Sequence, residues 1–219
     1  DNTTGAGNTA FGYYSMCNNT TGCCNTGIGR SALDVNTTGS CNTAVGQQAL
    51  YANTTASNNT AQGYYALFAN TTGAYNTAFG VCALKAGTTG TNNTAIGSFA
   101  LGVGVVTGYR NTAVGYQAAR SMTSGCKNTV SGNWALGTNT TGANNTASGT
   151  YSLYKNTTAS ENTAIGTNSL YYNTTGGCNT AIGRSALFAN TTATENTASG
   201  YGALKANTTG DYNAAFGSR

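Results

Sequence analysis

A unit of seventeen residues recurs along this chain and reads N-T-T-G-x-x-N-T-A-φ-G-x-x-A-L-x-x, where φ is usually apolar. Its thirteen copies start at Asn2, Asn19, Asn36, Asn53, Asn70, Gly87, Val105, Met122, Asn139, Asn156, Asn173, Asn190 and Asn207. Every step is seventeen residues except that from Gly87 to Val105, which is eighteen. Positions within the unit are numbered 1 to 17 below. A fixed short period implies a stack of near-identical rungs, each covering its neighbour. It also argues against catalysis, which needs one constellation of unlike groups rather than the same groups at every step. The expectation is a protein that is not an enzyme, with no catalytic, cofactor-binding or metal-ligating residues.

The period is too short for helical repeats, which need about 33 to 47 residues. The unit also lacks an apolar stripe at helical spacing, and Gly in a helix interior costs ~1 kcal/mol. Fourteen Tyr and many Thr suit a pleated surface instead. The sequence thus predicts an all-β parallel β-solenoid, one repeat per turn and about 13 turns, forming one continuous domain over residues 1–219. At ~4.8 Å per strand that is a rod roughly 60 Å long. Asp1 already stands at the edge of a unit and Arg219 falls inside one, so the reading expects a segment of a longer fibre whose export signal and anchor lie elsewhere. The extra residue near Gly102–Val105 is expected as a bulge at a corner.

The most regular piece is N-T-A-φ-G. Its Asn, at position 7, is present in all thirteen units: Asn8, Asn25, Asn42, Asn59, Asn76, Asn93, Asn111, Asn128, Asn145, Asn162, Asn179, Asn196 and Asn213. Its Gly, at position 11, is also constant from Gly12 to Gly217, and its Ala yields only to Gly27 and Val130. Alternation along a strand puts Asn, Ala and Gly on one face and Thr and φ on the other. The small face should line a tight interior, with the Asn side chains stacked amide to amide in a structural ladder. The φ position mixes Phe11, Ile28, Val45, Phe79, Ile96, Val114, Ile165, Ile182 and Phe216 with Gln62, Ser131, Ser148 and Ser199. Such a mixture fits an outer face partly covered by another chain. A second strand is expected around A-L, with one Leu per rung forming a hydrophobic spine. N-T-T-G reads as a turn.

The strings N-T-A-I-G at Asn93–Gly97, Asn162–Gly166 and Asn179–Gly183, each followed by A-L or S-L, resemble the head repeats of trimeric autotransporter adhesins. They also resemble repeats of tail-fibre-like surface proteins. The resemblance spans the chain and implies a left-handed parallel β-roll that trimerises side by side and works in attachment. This unit is longer than the family's and adds the N-T-T-G turn and the cysteines.

Other chemistry is sparse. Only 6% of residues are charged, the net charge is +4 and there is no His, which removes His-dependent nucleophile systems. The scattered basic residues do not form the cluster that nucleic acid or an anionic membrane would select. No apolar run approaches the ~20 residues of a membrane span. The five acids are Asp1, Asp34, Glu161, Glu195 and Asp211; Glu161 and Glu195 share one position two rungs apart and read as solvated corner residues. Among seven cysteines, Cys24 and Cys41 share a position on consecutive rungs, ~5 Å apart at strand spacing, and form a candidate disulfide.

The N-T-T triplets make Asn2, Asn19, Asn36, Asn53, Asn70, Asn139, Asn156, Asn173, Asn190 and Asn207 candidate glycosylation sites if they project from a corner. The competing reading is plain turn chemistry. Aromatics gather after the constant Gly, as in Tyr13–Tyr14, Tyr64–Tyr65, Trp134 and Tyr201, where they shield the corner or stack on sugars. The expected partners are further copies of the chain, as a homotrimer or fibril, and glycans or cell-surface ligands. The expected role is a structural or adhesive region of an extracellular surface fibre. The alternative is an ice-binding solenoid using the Thr file at position 8.

Overall fold

The computed structural model describes residues 2–218; Asp1 and Arg219 lie outside the described residues. The chain divides into two units, Asp1–Arg110 and Asn111–Arg219. Unit 1 carries β1 (Thr9–Phe11), β2 (Thr26–Ile28), β3 (Thr43–Val45), β4 (Thr60–Gln62), β5 (Thr77–Phe79) and β6 (Thr94–Ile96). Unit 2 carries β7 (Thr112–Val114), β8 (Thr129–Ser131), β9 (Thr146–Ser148), β10 (Thr163–Ile165), β11 (Thr180–Ile182), β12 (Thr197–Ser199) and β13 (Ala214–Phe216).

Within each unit the strands run parallel in chain order, and equal positions of consecutive repeats are register partners. Thr43 pairs with Thr60, and Ala164 with Ala181. Each repeat is therefore one rung of a parallel β-solenoid.

The strand occupies only positions 8 to 10. Its central residue points inward: Ala44, Ala61, Ala78, Ala147, Ala164 and Ala181 have no exposed surface. The constant Gly follows at φ between 107° and 144°. A Cβ on Gly63 would lie 2.5 Å from the carbonyl oxygen of Gly80 on the next rung. Close backbone approach and a left-handed φ thus both demand glycine here.

The A-L segment is not the second strand that the sequence suggests. Strand pairing stops at position 10, and each Leu sits in the left-handed region, with φ 53° at Leu33 and 50° at Leu153. That conformation costs ~1–2 kcal/mol for a side-chain-bearing residue. Full burial of a Leu gains about 1.5–3 kcal/mol, so the turn is held by the burial it achieves. The expected spine does form: Leu33, Leu50, Leu67 and Leu84 in unit 1, and Leu136, Leu153, Leu170 and Leu187 in unit 2, are at most 1% exposed.

The eighteen-residue step is absorbed at a corner. Val103 and Val105 are exposed while Val106 is fully buried. The Val106 carbonyl accepts from the Thr88 and Gly90 N–H groups, at 3.2 and 3.3 Å. The Thr37 carbonyl does the same for Thr20 and Gly22.

Two asparagine files satisfy the interior. At position 7 the side chain reaches to the next rung in two ways. The Asn42 backbone N–H donates to Asn25 Oδ1 at 2.9 Å, and Asn25 Nδ2 donates to the Gly39 carbonyl at 2.8 Å. Direct amide-to-amide contacts exist but are secondary, such as Asn145 Nδ2 to Asn128 Oδ1 at 3.1 Å. The expected ladder is thus bonded chiefly through the backbone. The second file is at position 1 and is amide to amide. In unit 1, Asn53 donates to Asn36, 2.8 Å; in unit 2, Asn156 donates to Asn139, 2.8 Å. Each also donates to the carbonyl three residues on, as Asn36 does to Gly39 at 3.0 Å. Buried amides are tolerable only when paired in this way.

Candidate interaction surface

The condition set for glycosylation, that the N-T-T asparagines project from a corner, is not met by the position-1 file. Asn19, Asn36, Asn53, Asn70, Asn139, Asn156, Asn173 and Asn190 are at most 1% exposed, and their Nδ2 atoms already donate hydrogen bonds. A glycan on such a nitrogen does not fit this packing. Asn2 is exposed and Asn207 half-buried, yet their amides donate to Gly5 and Gly210 in the same way. One sequence signal points to the inward placement: in one unit the Asn is replaced by the apolar Met122. Met122 is fully buried, three residues after Ala119, which stands in place of Leu.

What faces outward is the other side of the strand. Position 10 presents Phe11, Ile28, Phe79 and Ile96 in unit 1 and Val114, Ile165, Ile182 and Phe216 in unit 2, all exposed. Ile165 and Ile182 are register partners, 41% and 42% exposed, so the file is continuous on those rungs. Beside it runs the position-8 Thr file, half-buried to exposed and in register as Thr26, Thr43 and Thr60. The position-2 threonines behave differently. Their hydroxyls donate to the carbonyl of the next rung, as Thr20 Oγ1 does to Thr37 at 3.0 Å.

Position 6 is an exposed corner in the left-handed region. Cys24 and Cys41, both φ 57°, occupy it on consecutive rungs as exposed free thiols. Cys24 Sγ lies 3.6 Å from where a Cβ on Gly7 would stand, so a thiol here leans over the same position of the preceding rung. Neighbouring Cys23 is the main cause pushing the Cys24 thiol pKa up, with desolvation and then Cys41 adding to it. Glu161, Cys178 and Glu195 fill the same position in unit 2. The Cys178 thiol donates to Glu161 Oε2 at 3.4 Å, and this bond is the main cause of its raised pKa. Among the described residues no group of three or more acidic, Cys or His side chains is arranged to hold a metal.

Sequence reasoning misses one further set of side chains. The residue directly after the spine Leu is aromatic at Tyr51, Phe68, Tyr154, Tyr171 and Phe188. These rings pack on each other across rungs and on the aromatics that follow the constant Gly. Tyr51 and Phe68 stack with centroids 5.2 Å apart and an interplanar angle of 9°; Tyr171 and Phe188 stack at 5.4 Å and 24°. Lys85 and Lys205 take the next place in each series, over the rings of Tyr65 and Phe188. The near-parallel pairs turn their ring faces to one another across rungs. A shared place one residue beyond each Leu was the signal available.

In unit 2 a concavity of about 530 Å³ is lined by residues 202–207 and 215–218, with Lys205 its one titratable side chain. No helix among the described residues is long and apolar enough to cross a membrane.

Compared with family models, curated proteins and solved structures, the chain matches none. The class defined here is the parallel β-solenoid repeat protein, an architecture compatible with a β-roll.

Proposed function

We propose that this chain is a structural, adhesive region of an extracellular surface fibre, without catalysis. The observation that carries this reading is the separation of roles along most rungs. Inward positions are closed by asparagine files and the Leu spine. Outward positions carry a repeated apolar file flanked by Thr. Identical weak sites repeated along one body gain avidity without new contacts, and a periodic apolar row suits lateral association with further copies, as a homotrimer or fibril. Electron microscopy of the native assembly tests the reading: laterally associated filaments are expected, and isolated compact particles would overturn it.

The alternative is ice binding. The in-register Thr file at position 8 favours it, because equally spaced hydroxyl and methyl groups on a sheet can order water. The bulky φ residues beside that file favour the fibre. A thermal-hysteresis measurement separates the two, since activity would put ice binding first.

A further inference from the structure

Unit 2 holds an unbroken chain of oxidisable rings. Tyr116 and Trp134 have centroids 6.5 Å apart, Trp134 and Tyr154 5.8 Å, Tyr154 and Tyr171 5.3 Å, and Tyr171 and Tyr172 4.7 Å. Trp134 is the only Trp of the sequence. Its contact with Tyr154 depends on a gap in the wall at Gly137. A Cβ there would stand 2.9 Å from the Tyr154 ring and 3.1 Å from the Trp134 ring. The two ends of the chain reach water, with Tyr116 47% and Tyr172 45% exposed, while Trp134, Tyr154 and Tyr171 are half-buried.

Cations fix the form in which charge can move. The Arg120 guanidinium lies 5.4 Å from the Trp134 ring centre and the Lys155 ammonium 5.1 Å from that of Tyr154. A positive charge beside a ring disfavours a radical cation there. Oxidation is then favoured when the ring also loses its proton and becomes a neutral radical.

We propose that this file is a radical-transfer path that carries a one-electron oxidation from Trp134 to the exposed phenol of Tyr172. In the first step a one-electron oxidant, such as a peroxyl radical, takes an electron from Trp134 and becomes a hydroperoxide with the indole N–H proton. The Trp134 radical then takes one electron from Tyr154 and one proton at its indole nitrogen, while the Tyr154 phenol releases its proton to water. The same exchange passes the unpaired electron through Tyr171 to Tyr172. Burial pushes the Tyr171 phenol pKa up, so it gives up its proton reluctantly and serves as a relay. Tyr172 stands in contact with water, where a dissolved enediol reductant such as ascorbate can return the hydrogen atom. The path is independent of whether the chain works as a fibre.

The test uses the whole chain, photogenerated tris(bipyridyl)ruthenium(III) as the oxidant, transient absorption and a nitrone spin trap read by peptide mass. Wild type is expected to show the Trp radical decaying as tyrosyl radical grows, with trap adduct on Tyr172. The variant Tyr116→Phe/Tyr154→Phe keeps every ring but removes both oxidisable neighbours of Trp134. It should lose the handover, retaining a persistent Trp radical and adduct on Trp134. Tyr201→Phe, outside the file, should behave as wild type. No handover in wild type, or unchanged Trp radical decay in the double variant with its β-type circular dichroism intact, would overturn the proposal.

Discussion

The side-chain amide of Asn36 donates to Asn19 Oδ1 at 2.8 Å and to the Gly39 carbonyl at 3.0 Å, while its own Oδ1 accepts from Asn53. One residue thus joins three consecutive rungs and its own turn.

Removing that residue should be costly. Asn36→Ala leaves the Gly39 carbonyl with one donor fewer, strands Asn19 Oδ1 and leaves Asn53 Nδ2 with only its bond to the Ala56 carbonyl, and an unsatisfied buried group costs about 1–3 kcal/mol. Asn207→Ala, at a half-buried place, should cost distinctly less. Hydrogen exchange resolved along the chain measures both, with the loss of protection expected around rungs two to four. Equal effects for the two substitutions would contradict the ladder's role.

Glycine is required at position 11 and optional at position 4. Gly63→Ala forces a Cβ to 2.5 Å from the Gly80 carbonyl at φ 133° and should destabilise the rung strongly. Gly39→Ala should cost less: its Cβ would press on the Ala56 carbonyl and the rung must shift, but no left-handed φ is required there and Ala56, Ala159 and Ala193 already occupy that position in other rungs. Thermal melting of the two variants should rank them in that order.

Each spine Leu is fully enclosed. Leu153→Ala should cost about 2–5 kcal/mol through lost burial and the cavity left behind. Chemical denaturation followed by circular dichroism gives the value; a change below the error of the fit would show that the rung collapses around the gap.

The Cys178 thiol should ionise at higher pH than an ordinary thiol, because Glu161 accepts its proton in a hydrogen bond and both Glu161 and Glu195 repel a thiolate. A raised pKa means that the nucleophilic form appears later as pH rises. Alkylation of Cys178 should therefore lag a model thiol, and Glu161→Ala should move its pH–rate profile downward. A profile that does not respond to the substitution would remove Glu161 as the cause.

The outward file should control association and not folding. Ile165→Asp/Ile182→Asp places charge on two register partners that are about two-fifths exposed. Sedimentation should show fewer associated species, with circular dichroism unchanged. Unaltered association would rule out this part of the face.

The fold is largely written in the repeat, because register follows from period and alternation follows from pleat. Asn42 and Ala44 can be assigned to the interior for that reason. Position 1 is less legible. Asn36 in N-T-T-G has the composition of an exposed turn, and composition does not say which way a turn's amide points. The replacement by Met122 carries that information, and Met122 is fully buried. Leu33 reads correctly as core but wrongly as strand, since burial fixes where a side chain goes without fixing φ. The ring file around Tyr154 escapes a reading of the sequence because its members come from different positions and from rungs that only folding brings together.

The constant glycines hold the backbone of each rung close to the next, while positions 6, 10, 12 and 16 differ freely from one rung to the next. Skeleton and coat are therefore specified by separate positions of the unit. Units can be duplicated, lost or shuffled in steps of one period, changing the reach of the molecule and the pattern it displays while every new junction still fits.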